Sequence, residues 1–206
     1  MKAYQKETID TYTRQAKAFK DTRARFVQPD KLDQFQKLVL GDTVLDLGCG
    51  PGRDSAELIK RGFSVQGVDI TQAFIDIARN DVPDAIFTQM DVMDLIFEDD
   101  IFDGIWASAV FLHLKPEDFF VALKEAYRVL KPGGIIRFSV KKGNGEHIIK
   151  DERLHNEQRF FYYYSKDEVV EHTQKVGFEM LGVIEVKPRN HPVPIEWIDV
   201  FAKKPL

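Results

Sequence analysis

The chain has 206 residues, 44% of them hydrophobic and 30% charged, with a formal net charge of −4 at neutral pH. That length suits one domain with one core, and the mild acidity argues against generic nucleic-acid binding, which needs a basic face. A single cysteine, Cys49, forbids an internal disulfide; with a polar start and no long apolar run, the expectation is a cytoplasmic protein without membrane attachment.

Thr8 to Arg25 reads as an amphipathic helix, because Tyr12, Ala16, Phe19 and Arg23 recur at helical spacing along one side. Pro29 interrupts it, and Leu32, Phe35, Leu38 and Val39 predict a second helix before Gly41. Val44, Leu45 and Leu47 then read as a strand buried on both faces. A turn with glycines at 48, 50 and 52 follows, and Ser55 to Lys60 continues as a helix that Gly62 ends. Strand, glycine turn and helix bring bare backbone and a helix N-terminus up to a nucleotide-like ligand. Gly48 and Gly50 place no Cβ in the way.

The details of the turn select among ligands. The dinucleotide fingerprint has its third glycine three residues after the second, where this chain has Arg53. The Gly-Lys-Ser/Thr ending of a phosphate-binding loop is also missing. Asp46 at the strand's end would repel a bound anion and favour a cationic or zwitterionic ligand.

Ser64 to Val68 predicts the second strand, and Asp69 at its end stands about 20 residues past the glycines, where an acid can bind a ribose diol. Thr71 can cap the next helix, whose buried stripe is Phe74, Ile77 and Ala78. Ala85 to Gln89 is a third strand, with Asp91 just beyond it and Asp94 a rival acid in the same loop. Ile101 to Ala109 is a fourth, leading into Phe111-Leu112-His113-Leu114. His113 is a candidate general base, or a residue that fixes this loop by hydrogen bonding. Pro116 opens a helix with Phe119, Phe120, Leu123, Ala126, Tyr127 and Leu130 on its apolar side. Lys131 to Gly134 is read as a turn into a fifth strand, Ile135 to Val140.

Residues 141–164 are the least regular and are assigned to a substrate lid, with Arg159-Phe160-Phe161-Tyr162-Tyr163-Tyr164 alternating rings inward and outward. Arg153, His155 and Arg159 could meet an anionic substrate; the competing reading is a solvated loop with an aromatic anchor. Ser165 to Glu168 is a capping box for a helix ending at Gly177, after which Phe178 to Val186 and Ile195 to Ala202 close the sheet. No His, Cys or Asp cluster has the spacing of a zinc site.

Val44-Leu-Asp-Leu-Gly-Cys-Gly-Pro-Gly-Arg-Asp54 resembles motif I of the class I S-adenosylmethionine-dependent methyltransferases. Val65-Gln-Gly-Val-Asp69-Ile70, Gln89-Met-Asp91-Val92 and Val129-Leu-Lys-Pro-Gly-Gly134 fall in that superfamily's order and spacing. The resemblance implies a doubly wound α/β fold: a seven-stranded, mostly parallel, Rossmann-like sheet with its last strand antiparallel and helices on both faces. One domain, 1–206, would comprise a helical cap (1–40), a cofactor core (41–140), the lid (141–164) and a closing helix and strand pair (165–206).

S-adenosyl-L-methionine is the cofactor so implied. By the same resemblance Asp46, Gly48, Cys49, Gly50 and Arg53 surround it, and Asp69 takes the ribose hydroxyls. Ile70 lies on the adenine, whose amine and ring nitrogen meet Asp91 and the Val92 backbone, and Ala107 borders the methyl. The N-terminal segment would close over this site, with Tyr12 on the cofactor and Phe19 on the substrate; Arg153, Arg159 and Tyr162 are further substrate candidates. The implied reaction is in-line methyl transfer to a small-molecule acceptor, with His113 as a candidate base. A tRNA or protein acceptor, a non-catalytic cofactor-binding scaffold, and an NAD(P)-dependent oxidoreductase are the alternatives; Asp46 and Arg53 oppose the last. Acceptor atom and oligomeric state are left open.

Overall fold

The computed structural model describes residues 2–23, 27–186 and 195–206, apart from the side chains of Arg23 and Arg153. Three helices, α1 (Ala3–Arg14), α2 (Ala16–Arg23) and α3 (Pro29–Leu38), precede strand β1 (Thr43–Leu47). Then come α4 (Arg53–Lys60), β2 (Ser64–Asp69), α5 (Gln72–Asp81), β3 (Ile86–Gln89) and β4 (Phe102–Ser108). A 3-10 turn at Phe111–His113 leads to α6 (Pro116–Val129) and β5 (Leu130–Lys141). The remainder is β6 (Gly145–Asp151), β7 (Glu157–Tyr163), α7 (Lys166–Val176), β8 (Glu179–Val186) and β9 (Trp197–Lys203).

Seven strands form one sheet in the order β3-β2-β1-β4-β5-β9-β8. β1 pairs in parallel with β2 and β4, and β9 is antiparallel to both β5 and β8. This is the α/β architecture the sequence implied, with the last strand reversed. The order doubles back at β1, so the space beyond the carboxyl ends of β1 and β4 is the switch point where such sheets bind ligands.

Alternation along the strands divides the core. Leu45 and Leu47 of β1 join Ile105, Ala107, Ile136 and Phe138 in the larger cluster on the α6 face. Val44 joins Leu32, Phe35, Leu58, Trp106 and Phe201 on the other face. Both faces of the central strands are therefore covered, the usual consequence of parallel crossovers.

Several boundaries differ from the sequence reading. The first helix is two, interrupted at Gln15, whose backbone N–H bonds back to Thr11 O; the reading's far end, at Arg25, lies outside the described residues. The stretch 131–134 belongs to β5, because Leu130 pairs with Phe102 and the ladder shifts register before Gly104 meets Ile135. The 141–164 segment is chiefly a hairpin, β6 pairing with β7 from Gly145↔Tyr163 to Asp151↔Glu157. The link at 187–194 lies outside the described residues.

Candidate functional site

The glycine turn follows from its surroundings. Gly48 has φ +74°, and a Cβ there would come within 2.4 Å of Val110 Cγ2. Gly50 has φ +54°, and a Cβ there would meet nothing within 4 Å, so open space stands directly in front of this backbone. From the neighbouring strand end, Asp69 Oδ2 accepts a hydrogen bond from Gly50 N at 3.0 Å, and Oδ1 accepts from Thr71 N at 2.8 Å. One backbone donor per oxygen, together with the Thr71 side chain, holds the carboxylate still. Enclosure pushes the Asp69 pKa up, against the pull of those two N–H groups. Thr71 is the N-cap of α5 by position, but its side chain makes no capping bond.

Asp46 lies beneath the turn, on the same face as Val44 and Trp106, and is 1% exposed. Ser55 Oγ donates to its Oδ2 at 2.6 Å. Burial first, and then the neighbouring Asp54 carboxylate, push its pKa up to about 8. Asp54 itself is held ionised: Arg53 donates to both its oxygens at 2.7 and 2.8 Å, and Trp106 Nε1 donates at 3.0 Å. Arg53 is thereby directed at Asp54. The Cys49 side chain packs among Ile75, Ala78 and Phe87, leaving its backbone to face the turn, and burial drives its thiol pKa up.

Beyond β3, Asp91 Oδ1 accepts from Met93 N at 3.0 Å and Asp91 O accepts from Asp94 N at 3.0 Å. The rival acid is thus part of the turn that Asp91 organises. Gln89 Nε2 donates to Ile70 O at 2.9 Å, tying the β2 and β3 loops together. Val92 is buried, and the Ala107 side chain lies in the core, so Ala107 can border a ligand only through its backbone.

Above this floor, α1 and β7 bring together residues far apart in sequence. His113 Nδ1 lies 2.7 Å from Phe160 O and its Nε2 lies 2.8 Å from Tyr12 Oη. A carbonyl only accepts, so Nδ1 carries the proton and, in the neutral ring, Nε2 is the acceptor for the Tyr12 hydroxyl. Arg159 Nη1 donates to the same Tyr12 oxygen at 3.0 Å, and Arg159 Nη2 is paired with Asp151. The ordered chain is Asp151, Arg159, Tyr12, His113.

Tyr12 also packs against Phe19 (5.0 Å between ring centroids) and Phe74 (5.3 Å). Phe74 opens the helix after β2 and His113 follows β4, so Tyr12 spans the carboxyl end of β1. Threonines hold α1 in place: Thr8 Oγ1 accepts from Phe160 N and Thr11 Oγ1 donates to Gln158 O, each at 2.8 Å.

The substrate candidates separate by face of β7. Arg159 and Phe161 point toward Tyr12 and His113. Tyr162 lies on the opposite face with Tyr164, its hydroxyl 3.4 Å from Glu168 Oε1. His155 Nδ1 faces Gln15 Oε1 at 2.9 Å and is exposed; Arg153 falls in the short turn Glu152–Leu154, and its side chain is outside the described residues.

Asp151, Thr11 and Lys141 carry no local signal as site residues, and they join the site only through long-range packing. Sequence reading also passed over Arg137, although the polar residues at 137, 139 and 141 alternate with apolar ones and carry a strand signal. Among the described residues, no group of three or more His, Cys, Asp or Glu is arranged to hold a metal. No helix among them is long and apolar enough to cross a membrane.

Comparison with known proteins bears on the family and the fold. Residues 44–134 match the family described as methyltransferase domain. Methyltransferase GfsG of Streptomyces halstedii is 37% identical over 101 residues, 46% of this chain and 36% of its own length. The chain thus spans little more than a third of that relative. A crystal structure of a SAM-dependent methyltransferase from Methanosarcina mazei superposes with TM-score 0.78 at 23% identity, covering 87% of this chain and 99% of the other. The 1,6-didemethyltoxoflavin-N1-methyltransferase of Burkholderia thailandensis, solved with 1,6-didemethyltoxoflavin and S-adenosylhomocysteine bound, superposes with TM-score 0.71 at 21% identity, covering 100% and 92%.

Proposed function

We propose that this chain, whose residues 44–134 match the methyltransferase-domain family and whose fold is that of S-adenosylmethionine-dependent methyltransferases, is an enzyme transferring the methyl group of S-adenosylmethionine to a small-molecule acceptor. The observation that carries this reading is the pairing of open space before Gly50 with a fixed Asp69 carboxylate at the next strand end. That combination fits a ribose diol against bare backbone.

Asp69 takes the ribose hydroxyls, Asp91 and the Val92 backbone read the adenine edge, and Ile70 lies on its ring. The backbone of Gly48 to Gly50 accommodates the amino-acid end. When bound, the cofactor supplies an already electrophilic methyl, so the protein's task is alignment and the exclusion of water. An acidic chain, formally −4, and a site enclosed by α1 and β7 favour a small acceptor over tRNA.

Where the acceptor carries a proton, Tyr12 and His113 provide its exit. The acceptor's proton passes to Tyr12 Oη as the Tyr12 proton passes to His113 Nε2, leaving an imidazolium whose Nδ1–H stays on Phe160 O. Arg159 keeps the Tyr12 oxygen oriented as an acceptor. The pH profile tests this directly: the wild-type kcat should fall on the acid side, where His113 is already protonated. His113→Asn and Tyr12→Phe should lower kcat about 100-fold and flatten that limb, with S-adenosylhomocysteine affinity unchanged in His113→Asn. An unaltered profile in both variants removes the relay.

The cofactor assignment is tested by calorimetry with S-adenosylmethionine, S-adenosylhomocysteine and NAD. The first two should bind and NAD should not. Asp69→Ala should weaken binding by about 1.5–3 kcal/mol, the usual worth of hydrogen bonds to a charged group. Binding of NAD alone, or an Asp69→Ala variant of wild-type affinity, refutes the assignment.

A further inference from the structure

Beyond the Tyr12–His113 pair, toward the end of β5, two buried cations share one aromatic ring. Lys141 Nζ stands 3.4 Å from the centroid of Phe161, Arg159 Cζ is 5.1 Å from it, and the His113 ring is 4.8 Å away. Lys141 is 7% exposed and Arg159 is 3% exposed. Cations are withdrawn from water to this degree only where something else solvates them. Aromatic faces supply part of that, and Lys141 Nζ also has Tyr163 Oη at 3.4 Å.

Arg159 is incompletely satisfied. Its Nη1 serves Tyr12 and its Nη2 serves Asp151, but its buried Nε–H has no hydrogen-bond partner. A guanidinium N–H enclosed without an acceptor is rare in a folded protein and marks a place where an acceptor belongs. Among the described residues, the other guanidinium in this condition is Arg137, which is stacked on Trp106, paired with Asp199 and lies nearer the start of β5 than Lys141.

Position decides what that acceptor is. The cofactor features, Gly50, Asp69 and Asp91, stand over β1, β2 and β3. The wall of His113, Phe161 and Lys141 continues past them over β4 and β5, the side a methyl acceptor must occupy. Resting on the methyltransferase reading, we propose that the acceptor is a small carboxylic acid and that Lys141 and Arg159 Nε bind its carboxylate beside the Phe161 ring. Two oxygens on one planar group match one ammonium and one guanidinium edge, and charge-assisted bonds of this kind give both orientation and selectivity. The carboxylate is a handle that orients the acceptor; Tyr12 and His113 remain at the reacting end.

The test is calorimetric titration of the full chain saturated with S-adenosylhomocysteine, using benzoate, phenylacetate and succinate, each against its uncharged amide. At least one carboxylate should bind about tenfold more tightly than its amide. That preference should vanish in Lys141→Met, which should retain wild-type affinity for S-adenosylhomocysteine; Lys141→Gln replaces it if the first variant does not fold. Equal binding of acid and amide, binding of none of the three acids, or a preference that persists in both Lys141 variants overturns the proposal. Failure of S-adenosylhomocysteine itself to bind overturns the cofactor reading instead, and the same titrations without it still decide whether the site selects carboxylates.

Discussion

Asp46 shows how one residue acquires a role that its type does not specify. From sequence it is an anion at the mouth of the turn; in the fold it is enclosed under that turn, with Ser55 as its hydrogen-bond donor and Asp54 as a like-charged neighbour. Its carboxyl is near pKa 4 when unfolded and is pushed up to about 8 when folded. Between those values the folded chain holds a proton that the unfolded chain has released, so stability falls as pH rises across that window and levels off above it. Asp46→Asn removes this dependence while keeping an acceptor for Ser55. The melting temperature of the variant, relative to wild type, should therefore climb from pH 5 to pH 9. A difference that stays constant over that range would show that Asp46 is ionised in the folded state. His113 makes the same point in reverse: nothing nearby in sequence partners it, yet Tyr12 and Phe160 occupy both its ring nitrogens.

Among the elements, those fixed by local signals agree with the sequence reading to within a residue or two. The box Ser165-x-x-Glu168 forms as read, Ser165 Oγ accepting from Glu168 N at 3.2 Å and Glu168 Oε2 from Ser165 N at 2.8 Å, and Gly177 ends α7 with φ +114°. Elements whose pattern depends on distant partners were less legible. The 141–164 segment read as irregular because its strands are not faced by a uniform core. β6 is largely exposed, whereas β7 packs Arg159 and Phe161 on one side and Phe160 and Tyr164 on the other. The split of the first helix at Gln15 was equally hidden, since the apolar spacing of Tyr12, Ala16 and Phe19 runs through the break.

At the scale of the whole molecule, a polar layer ties the sheet together on the face that carries Trp106 and Asp54. Arg137 of β5 is fully buried, stacked 4.4 Å from the Trp106 ring of β4, paired with Asp199 of the antiparallel β9, and bonded to Gln28 Oε1 at 2.7 Å. Trp106 in turn donates to Asp54 at the start of α4. The layer links the parallel half of the sheet, the reversed strand and the N-terminal helices. Asp199→Ala leaves a guanidinium buried without its counter-charge and should cost about 3–5 kcal/mol. Denaturant unfolding checks this; a loss below about 1 kcal/mol would mean that the pair is solvated on its own.

The sequence by itself determined the sheet, the glycine turn and the acids at the ends of β2 and β3. Each of these is written in contiguous residues: alternation and β-branching make the strands, and a turn of positive φ demands glycine. It did not determine which side chains meet above that turn. Tyr12, Lys141, Asp151 and Arg159 are separated by up to 147 positions from the partners they reach, as in the bond between Arg159 and Tyr12. Only the crossing of α1 and β7 over the switch point brings them together. Local chemistry fixes the proposed cofactor site, because that site is built from successive strand ends and the turns that follow them. The proposed acceptor wall draws on separate parts of the chain, and tertiary packing alone decides its composition.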